Sequence, residues 1–161
     1  MRIRARSLSW SCLFIVTFLF VAERSAIAQS RAGIRGGVSA DPDQVYFGAH
    51  VDISEIVDNF WFRPNVEAGV GNGGTLVGFN AEFVYLFTRS REWTPYFGGG
   101  PGLVIRSFRR GPPGPAPDRD TDVGPGFNFV GGIQRTKGLL AEIKIGALDS
   151  PDFKLGIGWT W

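Results

Sequence analysis

The chain has 161 residues, with 17 Lys and Arg against 15 Asp and Glu and a formal charge of +2. The cationic excess lies within residues 1–28; without them thirteen cations face fourteen anions, a charge of −1, so composition offers no support for nucleic-acid binding. The single cysteine, Cys12, also lies there, which leaves residues 29–161 without disulfides or thiolate metal sites and long enough for one domain.

The first element is an export signal. Arg2, Arg4 and Arg6 precede an apolar run from Leu13 to Ala22, and Ala26-Ile27-Ala28 supplies a small-x-small site before Gln29. The run is too short to cross a bilayer as a helix, and the pattern is that of a cleavable secretory signal peptide over residues 1–28.

Period-2 alternation then predicts eight strands, over roughly 32–40, 44–54, 60–71, 74–88, 94–108, 123–135, 138–148 and 153–161. In the third, Phe60, Phe62, Val66, Ala68 and Val70 alternate with Arg63, Asn65, Glu67 and Gly69. In the fourth, Val77, Phe79, Ala81, Phe83, Tyr85 and Phe87 alternate with Gly78, Asn80 and Glu82. In the seventh, Ile143 and Ile145 alternate with Glu142 and Lys144. One face is thus rich in Phe, Val and Ile, while the other holds a few charges separated by glycines. Glycine suits the crowded interior of a narrow barrel better than an exposed strand surface. The expected architecture is an all-β, eight-stranded antiparallel up-and-down transmembrane barrel at 29–161, apolar outside and polar within, because a spanning sheet must close to satisfy its backbone.

One hairpin has a readable register. Asn72-Gly73 signals a two-residue type I′ turn, which sets Gly71 against Gly74, Asn65 against Asn80 and Arg63 against Glu82. An Arg63–Glu82 ion pair is expected there. Pro64, Pro101 and Pro125 fall inside predicted strands, and Gly98-Gly99-Gly100-Pro101-Gly102 reads as a bulge or bend. Phe60, Phe62, Tyr85, Phe87, Trp159 and Trp161 fall at one level, as an interfacial aromatic girdle should. Phe47, Phe127, Phe129 and Phe153 suit the opposite one.

The predicted lumen carries Arg35, Arg63, Arg106, Lys144 and Lys154 against Asp52, Glu67, Glu82 and Glu142, with His50, Asn65, Asn80, Asn128 and Gln134 between them. Such a set reads as a mutually neutralised polar core, and alternatively as a narrow gated ion path. His50 and Asp52 are two positions apart on one face, and such a pair can serve acyl-transfer chemistry when a nucleophilic serine joins it, for which Ser39 and Ser107 are the candidates. A neutral histidine in the polar network is the simpler reading. No metal site or cofactor is expected, since a lone histidine makes a zinc or iron centre improbable and the glycines precede no helix.

The long connection Arg109–Asp122 is Pro-rich and then charged, and is expected to be an extended surface loop. Within it Arg109 and Arg110 offer contacts to phosphates, Arg119 is a further surface residue, and Asp118, Asp120 and Asp122 alternate without the rest of a calcium loop.

The last strand, Phe153 to Trp161, ends on alternating aromatics, and Lys154, Gly156, Trp159 and Trp161 make the spacing polar-x-Gly-x-x-aromatic-x-aromatic. This spacing resembles the C-terminal assembly signal of bacterial outer-membrane barrels, and the whole mature chain resembles the small OmpA/OmpX-type outer-membrane β-barrel proteins. The resemblance implies the cell outer membrane of a diderm bacterium, with outer-membrane lipids and lipopolysaccharide as surroundings. It implies biogenesis through the secretion channel, periplasmic chaperones and the barrel-assembly machinery, and a monomer with a structural or surface-interaction role. A narrow pore and a lipid A-modifying enzyme are the alternatives.

Overall fold

The computed structural model describes residues 30–71, 74–87, 92–110, 118–135 and 138–161. The expected signal segment 1–28, the Asn72-Gly73 corner and the Gly111–Pro117 stretch lie outside the described residues. Eight strands follow in chain order: β1 (Arg31–Ala40), β2 (Gln44–Val57), β3 (Phe60–Gly71), β4 (Gly74–Leu86), β5 (Trp93–Arg110), β6 (Asp118–Arg135), β7 (Gly138–Leu148) and β8 (Phe153–Thr160). Each pairs antiparallel with its sequence neighbour, and β8 pairs with β1 from Gly33↔Thr160 to Ala40↔Phe153, so the sheet is a closed barrel. Closure leaves no sheet edge along the wall and satisfies the backbone within the strands.

The alternation in the sequence is the alternation of the wall. In β3, Trp61, Arg63, Asn65, Glu67 and Gly69 are buried while their neighbours face outward or are half-buried. Phe79, Phe97, Ile143, Ile145 and Ile157 are all exposed on the outer surface. The β3–β4 register is the one the turn signal predicts, with Gly71↔Gly74, Asn65↔Asn80, Arg63↔Glu82, Phe62↔Phe83 and Phe60↔Tyr85 as Cα partners. On the outer face the Phe62 and Phe83 rings lie 5.0 Å apart and Phe60 stacks on Phe83 at 5.9 Å.

Of the six residues expected in the aromatic girdle, Tyr85, Phe87, Trp159 and Trp161 are exposed at the end that carries the chain termini, and Phe60 and Phe62 are half-buried. Trp93 and Phe97 extend it. At the other end, Phe47, Phe129 and Phe153 are exposed, and Phe127 packs on Phe129 with ring centroids 5.0 Å apart.

Two expectations about the wall are corrected. The Gly98–Gly102 run holds no bulge: β5 pairs with β6 without a shift, through Pro101↔Phe127, and with β4 in one register from Asn80↔Gly102 to Phe83↔Gly99. The glycines permit this closeness. A Cβ at Gly98 would lie 2.7 Å from the Cα of Val84, and one at Gly100 2.8 Å from the carbonyl carbon of Ala81. The register shifts occur instead in β2, between Ile53 and Val57 against β3, where the alternation in the sequence breaks down. Pro64 and Pro125 also sit in continuous paired strands, opposite Ala81 and Leu103.

The second correction concerns the long connection. β5 and β6 are each 18 residues long, and they pair through Arg106↔Asp122, Phe108↔Asp120, Arg109↔Arg119 and Arg110↔Asp118. Half of the expected Arg109–Asp122 loop, Arg109, Arg110 and residues 118–122, is therefore paired strand of a β-hairpin. Period-2 alternation fails to reveal it because Arg109, Arg110, Asp118, Arg119 and Asp120 supply no apolar residue to alternate. Its β7 neighbour stops at Gly126↔Leu148.

Candidate functional site: the barrel interior

The inward positions of all eight strands converge on a densely charged interior. Arg35, Arg63, Lys144 and Lys154 are buried there with Asp52, Glu67, Glu82 and Glu142, four cations against four anions. A buried charge without a partner is costly, so the value of this set depends on its pairing.

One network lies at mid-barrel. Lys144 Nζ reaches Glu67 Oε1 and Glu82 Oε1, each at 2.6 Å. Lys154 Nζ donates to Glu67 Oε2 at 2.6 Å, and Arg35 Nη1 to Glu142 Oε1 at 2.6 Å. Tyr96 adds its hydroxyl to Glu142 Oε2 at 2.9 Å. Arg35 also lies 3.6 Å from Glu67 and 4.0 Å from Glu82, so the anions are shared among cations from three strands.

A second cluster gathers on Asp52. Arg63 Nε donates to Asp52 Oδ1 at 2.5 Å and Arg63 Nη2 to Asp52 Oδ2 at 3.2 Å. Arg63 Nη2 also reaches Gln134 Oε1 at 2.6 Å, and its guanidinium lies 4.8 Å from the centre of the Tyr96 ring. The Arg63–Glu82 ion pair expected from the register is thus replaced. The two Cα atoms are opposite each other, but Arg63 turns to Asp52 and Gln134 while Glu82 turns to Lys144. Backbone register sets where a long side chain starts, and the curvature of a narrow barrel brings ends from other strands within reach.

A ladder of amides crosses the same interior. Asn128 donates to Asn80 Oδ1 at 2.8 Å, and Asn80 donates to Asn65 Oδ1 at 2.9 Å. Asn80→Leu would leave Asn65 and Asn128 each without this partner inside the barrel. The expected loss is about 1–3 kcal/mol per stranded group, measured by urea unfolding of the refolded protein.

His50 is buried, with Nε2 3.3 Å from the Thr160 hydroxyl. Its ring occupies space that any Cβ at Gly33 would take, with His50 Nε2 2.6 Å from the position such an atom would have. Asp52 is engaged by Arg63 and by Arg31 Nη2, the latter at 3.0 Å. The candidate serine Ser39 donates to the Pro42 carbonyl, at the far end of β1 from Gly33, the partner of His50. Six residues of strand separate Gly33 from Ser39, about 20 Å. Ser107 lies opposite Thr75 near the same far end. The sequence candidates for a serine–histidine pair are not brought together.

Arg106 is corrected in position. Its side chain is 36% exposed, and it donates to the Asp149 carbonyl at the mouth rather than joining the lumen network. β5 rises past the end of β7 there, which carries the side chain above the buried layers.

Sequence reasoning missed several inward residues. Arg31 pairs with Asp52 and lies 4.9 Å from the centre of the Trp61 ring. Its parity with Gly33 and Arg35 was the available signal. Trp61, Val84, Leu86, Tyr96 and Val130 form a buried apolar cluster inside the barrel, toward the end carrying the termini. Val84 and Leu86 continue the inward phase of Asn80 and Glu82, so the parity was legible although their chemistry pointed outward. Among the assembly-signal residues, Lys154 and Gly156 face inward and Trp159 and Trp161 outward. The Trp161 amide donates to the Ala32 carbonyl at 2.9 Å, which ties the seam.

No three His, Cys, Asp or Glu side chains among the described residues are grouped to hold a metal ion.

No protein-family model matches the chain, and no curated protein matches it. Solved structures do. The crystal structure of Neisserial surface protein A (NspA) superposes with a TM-score of 0.62 at 12% identity, over 81% of this chain and 94% of that one. The N-terminal β-barrel domain of Pseudomonas aeruginosa OprF superposes with a TM-score of 0.56 at 13% identity, over 82% and 96%. At such low identity the likeness speaks for architecture alone. This chain has the fold of the small eight-stranded outer-membrane β-barrels.

Proposed function

We propose that the mature chain is an integral outer-membrane barrel of a diderm bacterium, with a non-enzymatic structural or surface-interaction role and a lumen closed to ions. One observation carries this reading: the barrel is inverted relative to a soluble one. Eight acidic and basic side chains are buried within, and isoleucine, valine and phenylalanine cover the outside. An exposed apolar surface of this extent needs lipid to cover it. The ionic network then takes the place of a hydrophobic core, and the inner cluster around Trp61 and Leu86 seals one end. Interiors of eight-stranded barrels are just wide enough for side chains to fill.

In this reading the chain termini face the periplasm, and the β5–β6 hairpin stands on the outer side beside lipopolysaccharide. Export and insertion use the secretion channel, periplasmic chaperones and the barrel-assembly machinery, and the protein works as a monomer. A lipid A-modifying role is disfavoured, because His50 and Thr160 face each other inside the barrel rather than toward lipid.

The pore alternative is tested by planar-bilayer recording of the purified protein. The expected trace is flat up to the voltage at which the bare bilayer fails. Reproducible unitary steps would overturn the closed lumen and establish a narrow channel.

A further inference from the structure

The two outer edges of the rising β5–β6 hairpin are unequal. β4 accompanies β5 as far as Thr75↔Ser107, close to the end of β5 at Arg110. β7 stops against β6 at Gly126↔Leu148, which leaves residues 118–125 of β6 paired with β5 alone among the described strands. The foot of this edge fixes where its backbone groups point. The Asp149 amide donates to the Pro125 carbonyl at 3.1 Å, so the odd-numbered residues of β6 turn their backbone groups to the β7 side. Above Pro125 the same parity turns those of Val123 and Thr121 to a side where no described strand stands. There the Val123 amide meets only the carboxylate of its own neighbour, Asp122 Oδ1 at 3.0 Å. A strand lying alongside would supply a carbonyl in that place.

Exposed strand edges are commonly blunted by proline, lysine, a bulge or extreme shortness. Residues 118–124 hold no proline and no lysine, pair with β5 without a register shift, and offer about 20 Å of edge. Thr121, Asp122 and Val123 are exposed, and threonine and valine favour an extended backbone. Charge chooses the occupant. Aspartate stands at 118, 120 and 122, alternate positions and so one face of the strand, while Arg119 has the other parity. A second copy of this edge would bring the same carboxylates. A strand with lysine or arginine at alternate positions would instead set cations beside them, the favourable cross-strand pair.

We infer that the free edge of β6 binds an extended basic segment of a partner protein, added to the hairpin as a further strand. Main-chain hydrogen bonds supply the affinity in this mode, and the side chains of alternate positions select the partner. On docking, the Val123 amide passes to a carbonyl of the incoming strand, and Asp122 turns to one of its cations. The inference deepens the surface-interaction reading and rests on it, since the hairpin must stand outside the cell to be reached.

The test titrates the mature protein, refolded in zwitterionic micelles, with a heptapeptide alternating lysine and valine, followed by calorimetry and by amide shifts along β6. A saturable one-to-one isotherm is expected, with the largest shifts at Thr121 and Val123. The same peptide N-methylated at every amide keeps its charges but has no main-chain donors, and is expected to bind about tenfold more weakly or worse. Thr121→Pro removes an edge-facing amide and leaves the pairing to β5 intact, while Asp122→Asn removes one carboxylate; each is expected to weaken binding about tenfold. Asp58→Asn, in the turn at the opposite end, is expected to leave it unchanged. If Thr121→Pro does not refold, Asp122→Asn and the methylated peptide decide the matter. Equal affinity for the methylated peptide would overturn the inference, since that marks attraction to carboxylates alone, as would unchanged affinity in Asp122→Asn. Self-association of the free protein that Thr121→Pro abolishes would overturn it in favour of a second copy. Binding to the purified protein but not to intact cells displaying it would uphold the edge and overturn the orientation instead.

Discussion

Lys144→Met is expected to destabilise the barrel by about 3–5 kcal/mol, the cost of breaking a buried ionic set by removing one partner. Lys144 is fully buried and holds Glu67 and Glu82 at 2.6 Å each. Methionine matches its length but leaves Glu82 with only the more distant Arg35, at 4.0 Å. Glu67 keeps Lys154 and Arg35, so the damage should concentrate on Glu82. The double variant Lys144→Met, Glu82→Gln is therefore expected to recover a large part of the loss, whereas Lys144→Met with Glu67→Gln should recover less. Urea unfolding in phospholipid vesicles, read by tryptophan fluorescence, measures all three. A single variant as stable as the wild type would show that Lys144 is not the keystone of this network.

The neighbouring residue gives the second large effect with the opposite chemistry. Ile143→Lys puts a charge at the middle of β7 on the outer face, where Ile143 is 47% exposed. In a bilayer a lysine near the midplane costs about 2–4 kcal/mol. On a water-facing surface the same substitution would stay within about 0.5 kcal/mol. Comparing unfolding in vesicles with the wild type thus asks directly which solvent covers this face. A change near zero would remove the membrane reading, and Lys144→Met one position along would still report on the lumen. The two adjacent variants separate the inside of the wall from its outside.

The legible part of this protein was the part governed by the two-residue repeat of a strand. Phe79, Phe83 and Ile143 against Asn80, Glu82 and Lys144 assigned the faces of β4 and β7 before any pairing was known. The Asn72-Gly73 signal went further and set the β3–β4 register to the residue, because a two-residue hairpin leaves no freedom in how its strands align. The hairpin above the rim was missed. Arg109, Arg110, Asp118 and Asp120 carry no apolar phase, and a strand standing clear of the wall needs none. The Gly98–Gly102 run was misread because glycine permits close strand approach as readily as it permits a bulge.

What the linear order of residues settled was which side chains face inward and that their charges nearly cancel. What only closure of the barrel settled was the partner of each. Arg35 meets Glu142 across 107 positions of sequence and Lys144 meets Glu67 across 77, while Arg63 passes over the Glu82 opposite it for Asp52. Alternation is a local property of an extended backbone, carried by each strand alone. Contact across a lumen depends on how far the strands tilt and stagger when the first meets the last, and no single segment encodes that.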